Sequence, residues 1–209
     1  MRILDLFCGA GGASMGYHLA GFEVVGVDIK PQPRYPFEFH QADALGYPLD
    51  GFDAYHASPP CQAYSVCTGP AHQGKHPRMI GPVRERLIKT GRPYVIENVE
   101  GARKELITPV MLCGSMFDLP IRRRRYFEIY PPALLLVPSG HYTHDPVYIT
   151  GCKRVKDGLR KDPLAVTKRH ALETPWMTVR NMDEAIPPAY TRFLGGILLT
   201  QLQPRRLQS

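Results

Sequence analysis

Short apolar runs, each closed by glycine, proline or an acidic residue, mark out the first two thirds of the chain. RILDLF (residues 2–7) reads as a buried strand. CGAGGASMGYHLAGF follows: its glycines make a turn, and residues 13–20 read as a helix with Gly21 as its stop. EVVGVDI (23–29) is a second buried strand ending in Asp28, and FEFHQAD (37–43) a third ending in Asp43. FDAYHAS (52–58) is a fourth, running into the rigid corner Pro59-Pro60-Cys61. A loop rich in Gly, Pro and His occupies 63–77, and 83–89 has helical character. PYVIENV (93–99) and RYFEIY (125–130) are further strands. Residues 131–175 lack strong periodicity and are polar, basic and turn-rich. Tyr190, Phe193, Leu194, Ile197, Leu198 and Leu202 then follow helical spacing. Gly195 and Gly196 weaken that helix, which points to close packing against the sheet.

Strands alternating with helices predict an α/β fold with a mostly parallel sheet and helices on both faces. Ligands of such sheets bind beyond the carboxyl ends of the strands. The glycine turn, Asp28, Asp43, Cys61 and Glu97 all fall at those ends. Glycines after a first strand let a ligand approach the backbone, and the acids at the next two strand ends suit a ribose hydroxyl and an adenine amino group. A nucleoside-containing cofactor fits all three. The spacing Gly9-x-Gly11-Gly12 is not the dinucleotide fingerprint, because Ser14 stands where the third glycine belongs.

Composition narrows the class. The chain has 209 residues, 44% of them hydrophobic, which suits one domain or a domain with a small lobe. The formal net charge of +7 favours a polyanionic partner. Five cysteines, Cys8, Cys61, Cys67, Cys113 and Cys152, give no disulfide framework, so a reduced, cytoplasmic protein is expected. The apolar stretch 133–137 is too short to span a bilayer, and the N-terminus lacks a signal-peptide pattern. Cys61, Cys67, His72 and His76 form a compact cluster, but the insert between the Cys and His pairs is too short for a zinc finger. No metal is expected.

These motifs together resemble the cytosine-C5 DNA methyltransferase family. DLFCGAGGASMGYHLAGFEVVGVDI is similar to its S-adenosylmethionine motif, SPPCQAYS to its nucleophile motif, ENV (97–99) to its catalytic glutamate motif and RRRRYF to its two-arginine motif, in matching order. The resemblance implies an S-adenosylmethionine-dependent, Rossmann-like fold that methylates carbon 5 of cytosine in double-stranded DNA. It implies a thiolate at Cys61 that adds to carbon 6 of a flipped base, Glu97 at N3 in protonated or proton-sharing form, and Arg123 and Arg125 at the base and catalytic loop. Arg122 and Arg124 are read as surface. Cofactor contacts are implied for Phe7, Gly9, Ala10, Gly11, Gly12, Asp28, Ile29, Asp43, Ala44 and Pro60. Substrate contacts are implied for Gln62, Ser65 and Asn98, with Lys75 and Arg78 gripping phosphates from a closing lid at 63–77.

The resemblance divides the chain into a catalytic and cofactor-binding part at 1–130, a small recognition lobe at 131–175, and a returning C-terminal helix within 176–209. That lobe is much shorter than the family's usual recognition region, so a monomer is expected, with a partner chain completing recognition as an alternative. Ile121 stands where the family has Gln, and Glu184 where it has Asn. Trp176 is expected in the core. A tRNA cytosine-C5 methyltransferase, a non-catalytic DNA-binding relative and a dinucleotide-dependent oxidoreductase are the alternatives.

Overall fold

In the computed structural model, side chains of alternating positions along each central strand enter two separate cores. Ile3, Val24, Ala54 and Val95 face one side of the sheet, while Leu4, Val25, Tyr55 and Ile96 face the other. Burial on both faces is why these strands read as unbroken apolar runs. The structure describes residues 1–65, 68, 70–140, 147, 149 and 165–203. Cys67, Cys152 and most of the expected recognition lobe lie outside them.

The strands are β1 (Arg2–Leu6), β2 (Glu23–Asp28), β3 (Glu38–Gln41), β4 (Ala54–Ala57), β5 (Tyr94–Asn98), β6 (Val110–Leu112) and β7 (Arg125–Tyr130). The helices are α1 (Gly12–Ala20), α2 (Pro70–Gln73), α3 (Ile80–Lys89), α4 (Ala165–Leu172), α5 (Val179–Glu184) and α6 (Pro188–Leu202). The sheet order is β3-β2-β1-β4-β5-β7-β6. The first five strands in that order are parallel; β7 runs antiparallel to both β5 and β6. The α/β reading therefore holds. The order in which strands are added to the sheet reverses between the parallel neighbours β1 and β4, so the turns after these two strands sit side by side, the usual place for a ligand.

Helices α1 and α6 cover one face together. A Cβ on Gly16 would meet the Thr191 hydroxyl at 2.0 Å, and Thr191 donates to the Ala13 carbonyl at 2.8 Å. Gly195 packs on α1, where a Cβ would lie 2.6 Å from that of Ala20, and Gly196 faces open space. The expected packing of both glycines against the sheet is corrected accordingly. On the other face, Ile80, Val83 and Leu87 of α3 are buried. Arg84, on the same helix, reaches Glu128 of β7 with Nε and Nη2 at 2.7 and 2.6 Å. Glu128 also accepts from Tyr94 and from the Ile107 amide, so the charge is well paired inside the protein.

Strand β6 and helices α2, α4 and α5 were not expected; α2 lies in the stretch read as a loop and α4 in the stretch read as lacking periodicity. Three residues at a sheet edge carry too little periodicity to read. Helix α5 is opened by a capping box in which Asn181 plays the part usually taken by Glu or Gln. No helix among the described residues is long and apolar enough to cross a membrane.

Candidate active site

Three left-handed residues shape the turn after β1: Phe7, Gly9 and Gly11, with φ of 60, 50 and 84°. The chain itself uses most of the glycines. A Cβ on Gly11 would touch the Tyr35 ring at 3.0 Å, and one on Gly12 would lie 2.4 Å from the Ile186 carbonyl. Only at Gly9 does the added Cβ meet nothing within 4 Å, so the turn is open to a ligand there. Asp28 ties the turn to β2, accepting from the Gly9 amide at 3.0 Å and from the Lys30 amide at 2.9 Å. Each carboxylate oxygen has a second lone pair, so a ribose hydroxyl can still bind. Ser14, at the place of the missing third glycine, donates to the fully buried Asp5 at 2.5 Å and accepts from the Tyr35 hydroxyl. Trp176 donates its indole N–H to the Ala10 carbonyl and packs against the core.

The corner after β4 is held from β5. Asn98 donates to the Pro59 carbonyl at 2.9 Å and accepts from the Val99 amide. It is buried and bound to the chain, so it fixes the nucleophile corner rather than reaching outward as the substrate contact expected of it. The Cys61 carbonyl accepts from the Tyr64 and Ser65 amides at 2.9 and 2.8 Å, which turns the chain sharply after a half-buried thiol. Gly101 presses on that turn: a Cβ there would lie 2.0 Å from the Tyr64 carbonyl.

Glu97 sits at the end of β5, 6% exposed, with Arg125 Nε 3.0 Å from its Oε1. Arg123 is buried and spends its two terminal nitrogens on the carbonyls of Ile149 and Asp183, at 2.9 and 2.8 Å. Arg122 and Arg124 are exposed, so the arginine run alternates in and out like a strand. Burial, and then the neighbouring Arg125 charge, push Arg123 down to about 9. Burial raises the Glu97 carboxyl above the usual range, against the pull of Arg125, Arg123 and a hydrogen bond from Ser58. The Cys61 thiol is also raised, by burial and then by the Glu97 charge; Arg125 pulls it down and Glu184 adds a smaller upward push. The pull of Arg125 is therefore outweighed by burial and the Glu97 charge.

Gln62 is exposed beside this corner, and the Ser65 carbonyl is held by Gln73 at 2.9 Å. Lys75 is exposed. Arg78 is exposed too, paired with Glu105 at 2.5 Å and lying over the Tyr64 ring. Pro60 is exposed and Ala44 buried. Among the described residues no group of three or more His, Cys, Asp or Glu side chains is placed to hold a metal ion.

The sequence profile described as C-5 cytosine-specific DNA methylase matches residues 1–109, just over half of the chain. The chain belongs to that family. No curated protein is similar enough in sequence to match it. Among solved structures, an Entamoeba histolytica methyltransferase, EhMeth, superposes with a TM-score of 0.68 at 12% identity, covering 98% of this chain and 99% of the other. The Dnmt2 methyltransferase of S. pombe gives 0.63 at 13% identity, with the same coverage of 98% and 99%. A putative DNA modification methyltransferase encoded within an E. coli prophage gives 0.50 at 20% identity, covering 72% of this chain. The chain spans 53% of that prophage protein's length. These likenesses are of fold.

S-adenosylmethionine is the methyl donor of the family. The residues present fit it. The turn is open at Gly9, Asp28 retains free lone pairs, and Ile29 beside it leaves an apolar side chain 67% exposed where a flat ring can lie. Asp43 uses Oδ1 on the Leu45 amide at 3.0 Å, and its second oxygen faces no described donor. Adding S-adenosylmethionine is expected to raise the melting temperature by mass action, and Asp28→Ala to shrink that rise in differential scanning fluorimetry. An undiminished rise in the variant would remove Asp28 from the cofactor site.

Proposed function

We propose that the protein transfers a methyl group from S-adenosylmethionine to carbon 5 of cytosine in double-stranded DNA, with Cys61 as nucleophile. One observation carries this reading: the half-buried Cys61 thiol and the buried Glu97–Arg125 pair stand at adjacent strand ends beside the open glycine turn. Residues 1–130 would form the catalytic part, 131–175 a small recognition lobe and 176–209 the return to the catalytic part. A formal charge of +7 suits a phosphate backbone and makes binding salt-sensitive.

S-adenosylmethionine supplies an electrophilic methyl group. Carbon 5 of cytosine is a weak nucleophile until carbon 6 is attacked. The Cys61 thiolate adds there, and a proton held by Glu97 at N3 takes up the charge that develops. Carbon 5 would take the methyl group as the sulfonium–methyl bond breaks and S-adenosylhomocysteine leaves; the carbon 5 proton then goes to a base, the N3 proton returns to Glu97, and the carbon 6–sulfur bond breaks to release Cys61. Arg125 holds Glu97 in place from β7. Glu97 and Cys61 are coupled. While Glu97 is ionised it disfavours the thiolate, and a proton on Glu97 removes that opposition as the base is engaged.

Glu97→Gln is therefore expected to move two observables in opposite senses. Turnover should fall by about 10²–10⁴-fold, the usual share of a general acid–base residue. Alkylation of Cys61 by iodoacetamide near neutral pH should quicken, because losing a like charge lowers the thiol's pKa and raises the thiolate fraction. Peptide mass spectrometry reads this at Cys61 separately from the other cysteines. Slower alkylation would contradict the coupling. The activity itself is tested by methyl transfer from labelled S-adenosylmethionine to mixed-sequence DNA and, in parallel, to tRNA, followed by nucleoside analysis. The reading expects 5-methyldeoxycytidine. Label confined to tRNA would replace the substrate class, and label on an exocyclic nitrogen would overturn the chemistry.

A further inference from the structure

Strand β4 is apolar except for one residue, His56, which is fully buried. Its ring bridges two hydroxyls: Tyr17 of α1 lies 2.8 Å from Nδ1, and Ser58 lies 2.8 Å from Nε2. His56 is on β4 and Ser58 is the first residue after it, two positions further along the chain. The register of β4 with β5 pairs His56 with Val95 and Ala57 with Ile96, so Ser58 comes level with Glu97. The Ser58 hydroxyl is close enough to the Glu97 carboxyl to act against the burial that raises it. Four side chains, from α1, β4, the residue after it and β5, thus form one line ending at Glu97.

The protons in that line run one way. An ionised carboxylate only accepts, so Ser58 spends its single proton on Glu97. The Ser58 oxygen must then accept from His56, which places the imidazole proton on Nε2. Nδ1 is left to accept from the Tyr17 hydroxyl. Burial pushes His56 down to about 3, so the ring stays neutral and keeps one donor and one acceptor. Reversing the line would require Glu97 to carry the proton.

We propose that Tyr17, His56 and Ser58 are positioning residues for the methyl-transfer reaction: a one-directional hydrogen-bond line that fixes the Glu97 carboxylate and favours its ionised form. This rests on the catalytic reading of Glu97. The line offsets the burial that drives Glu97 towards its neutral form, so the group both holds and releases a proton during turnover. Other charges also face Glu97: Arg125 and Arg123 from the β7 side, Asp5 from β1 and Cys61 from the corner. The line differs from them in carrying no charge and in entering from the helix face. Its far end is closed, so it sets an orientation and a proton affinity rather than conducting protons to solvent.

The test is a carbon-13 NMR titration of Glu97 in the whole chain labelled at glutamate side-chain carboxyls, with the resonance assigned by its loss in Glu97→Gln. Ser58→Ala and His56→Asn each cut the line, and both are expected to move the Glu97 midpoint to higher pH. Each should also lower kcat by roughly tenfold, a fraction of what a general acid–base residue supplies. Ser58→Thr keeps the hydroxyl, and His56→Gln keeps a donor close to the Nε2 position; both should recover most of the wild-type midpoint and kcat. An unmoved midpoint in folded Ser58→Ala and His56→Asn proteins overturns the proposal. Full activity in Glu97→Gln overturns the catalytic reading instead, while the midpoint shift still reports on the line.

Discussion

Cys61→Ser is expected to lose methyl transfer almost completely, to less than about one-thousandth of the wild-type rate, as removal of a covalent nucleophile does elsewhere. A serine hydroxyl is not ionised under conditions in which even a raised thiol yields some thiolate, and it is the thiolate that adds to carbon 6. Folding should survive. The corner is held by the Cys61 carbonyl, which accepts from Tyr64 and Ser65, and by the Pro59 carbonyl, which accepts from Asn98; the sulfur takes no part in either. The melting temperature and its response to S-adenosylmethionine should therefore stay close to wild type. Normal turnover in the serine variant would show that the nucleophile lies elsewhere.

Arg84→Met is expected to be the costliest change away from the site. It leaves Glu128, 2% exposed at its side chain, without the guanidinium that meets it twice. Breaking one partner of a buried pair costs about 3–5 kcal/mol, a large part of the stability of a single domain. The methionine fills similar space along α3, so the loss reflects the stranded carboxylate more than a cavity. Tyr94 and the Ile107 amide still donate to Glu128 and soften the penalty. The double variant Arg84→Met with Glu128→Gln should recover much of the stability in urea unfolding. A single variant within about 0.5 kcal/mol of wild type, the range of ordinary surface changes, would contradict this.

The parts of the fold that were legible in the sequence are those where one signal dominates. Strands buried on both faces form continuous apolar runs, and Gly21, in a left-handed conformation, stops α1 where the periodicity ends. The carboxyl-end residues were legible because a parallel sheet gathers its strand ends on one side. Other features depend on contacts between segments far apart in the chain. Gly195 could be assigned to α1 only once α6 was seen to lie on it. Arg84 and Glu128 are 44 positions apart, and neither stands out among charged neighbours. Asn98 is implied as a substrate contact by ENV, but the partner its amide takes is the Pro59 carbonyl in the corner after β4. The Tyr17, His56 and Ser58 line left one trace in the sequence, a histidine inside the apolar run AYHA, and that trace named no partner.

The central claim is that Cys61 bonds covalently to carbon 6 of cytosine during methyl transfer. Duplex DNA in which 5-fluorocytosine replaces cytosine tests it most directly, because the fluorine cannot leave carbon 5 as a proton does and the adduct is held after methylation. With S-adenosylmethionine present, the protein should form a complex with this DNA that survives denaturing electrophoresis, and peptide mass spectrometry should place the modified nucleotide on Cys61. Cys61→Ser should give no such complex. An adduct on another residue, or efficient methylation of ordinary DNA with no trapped complex on the fluorinated duplex, would contradict the account.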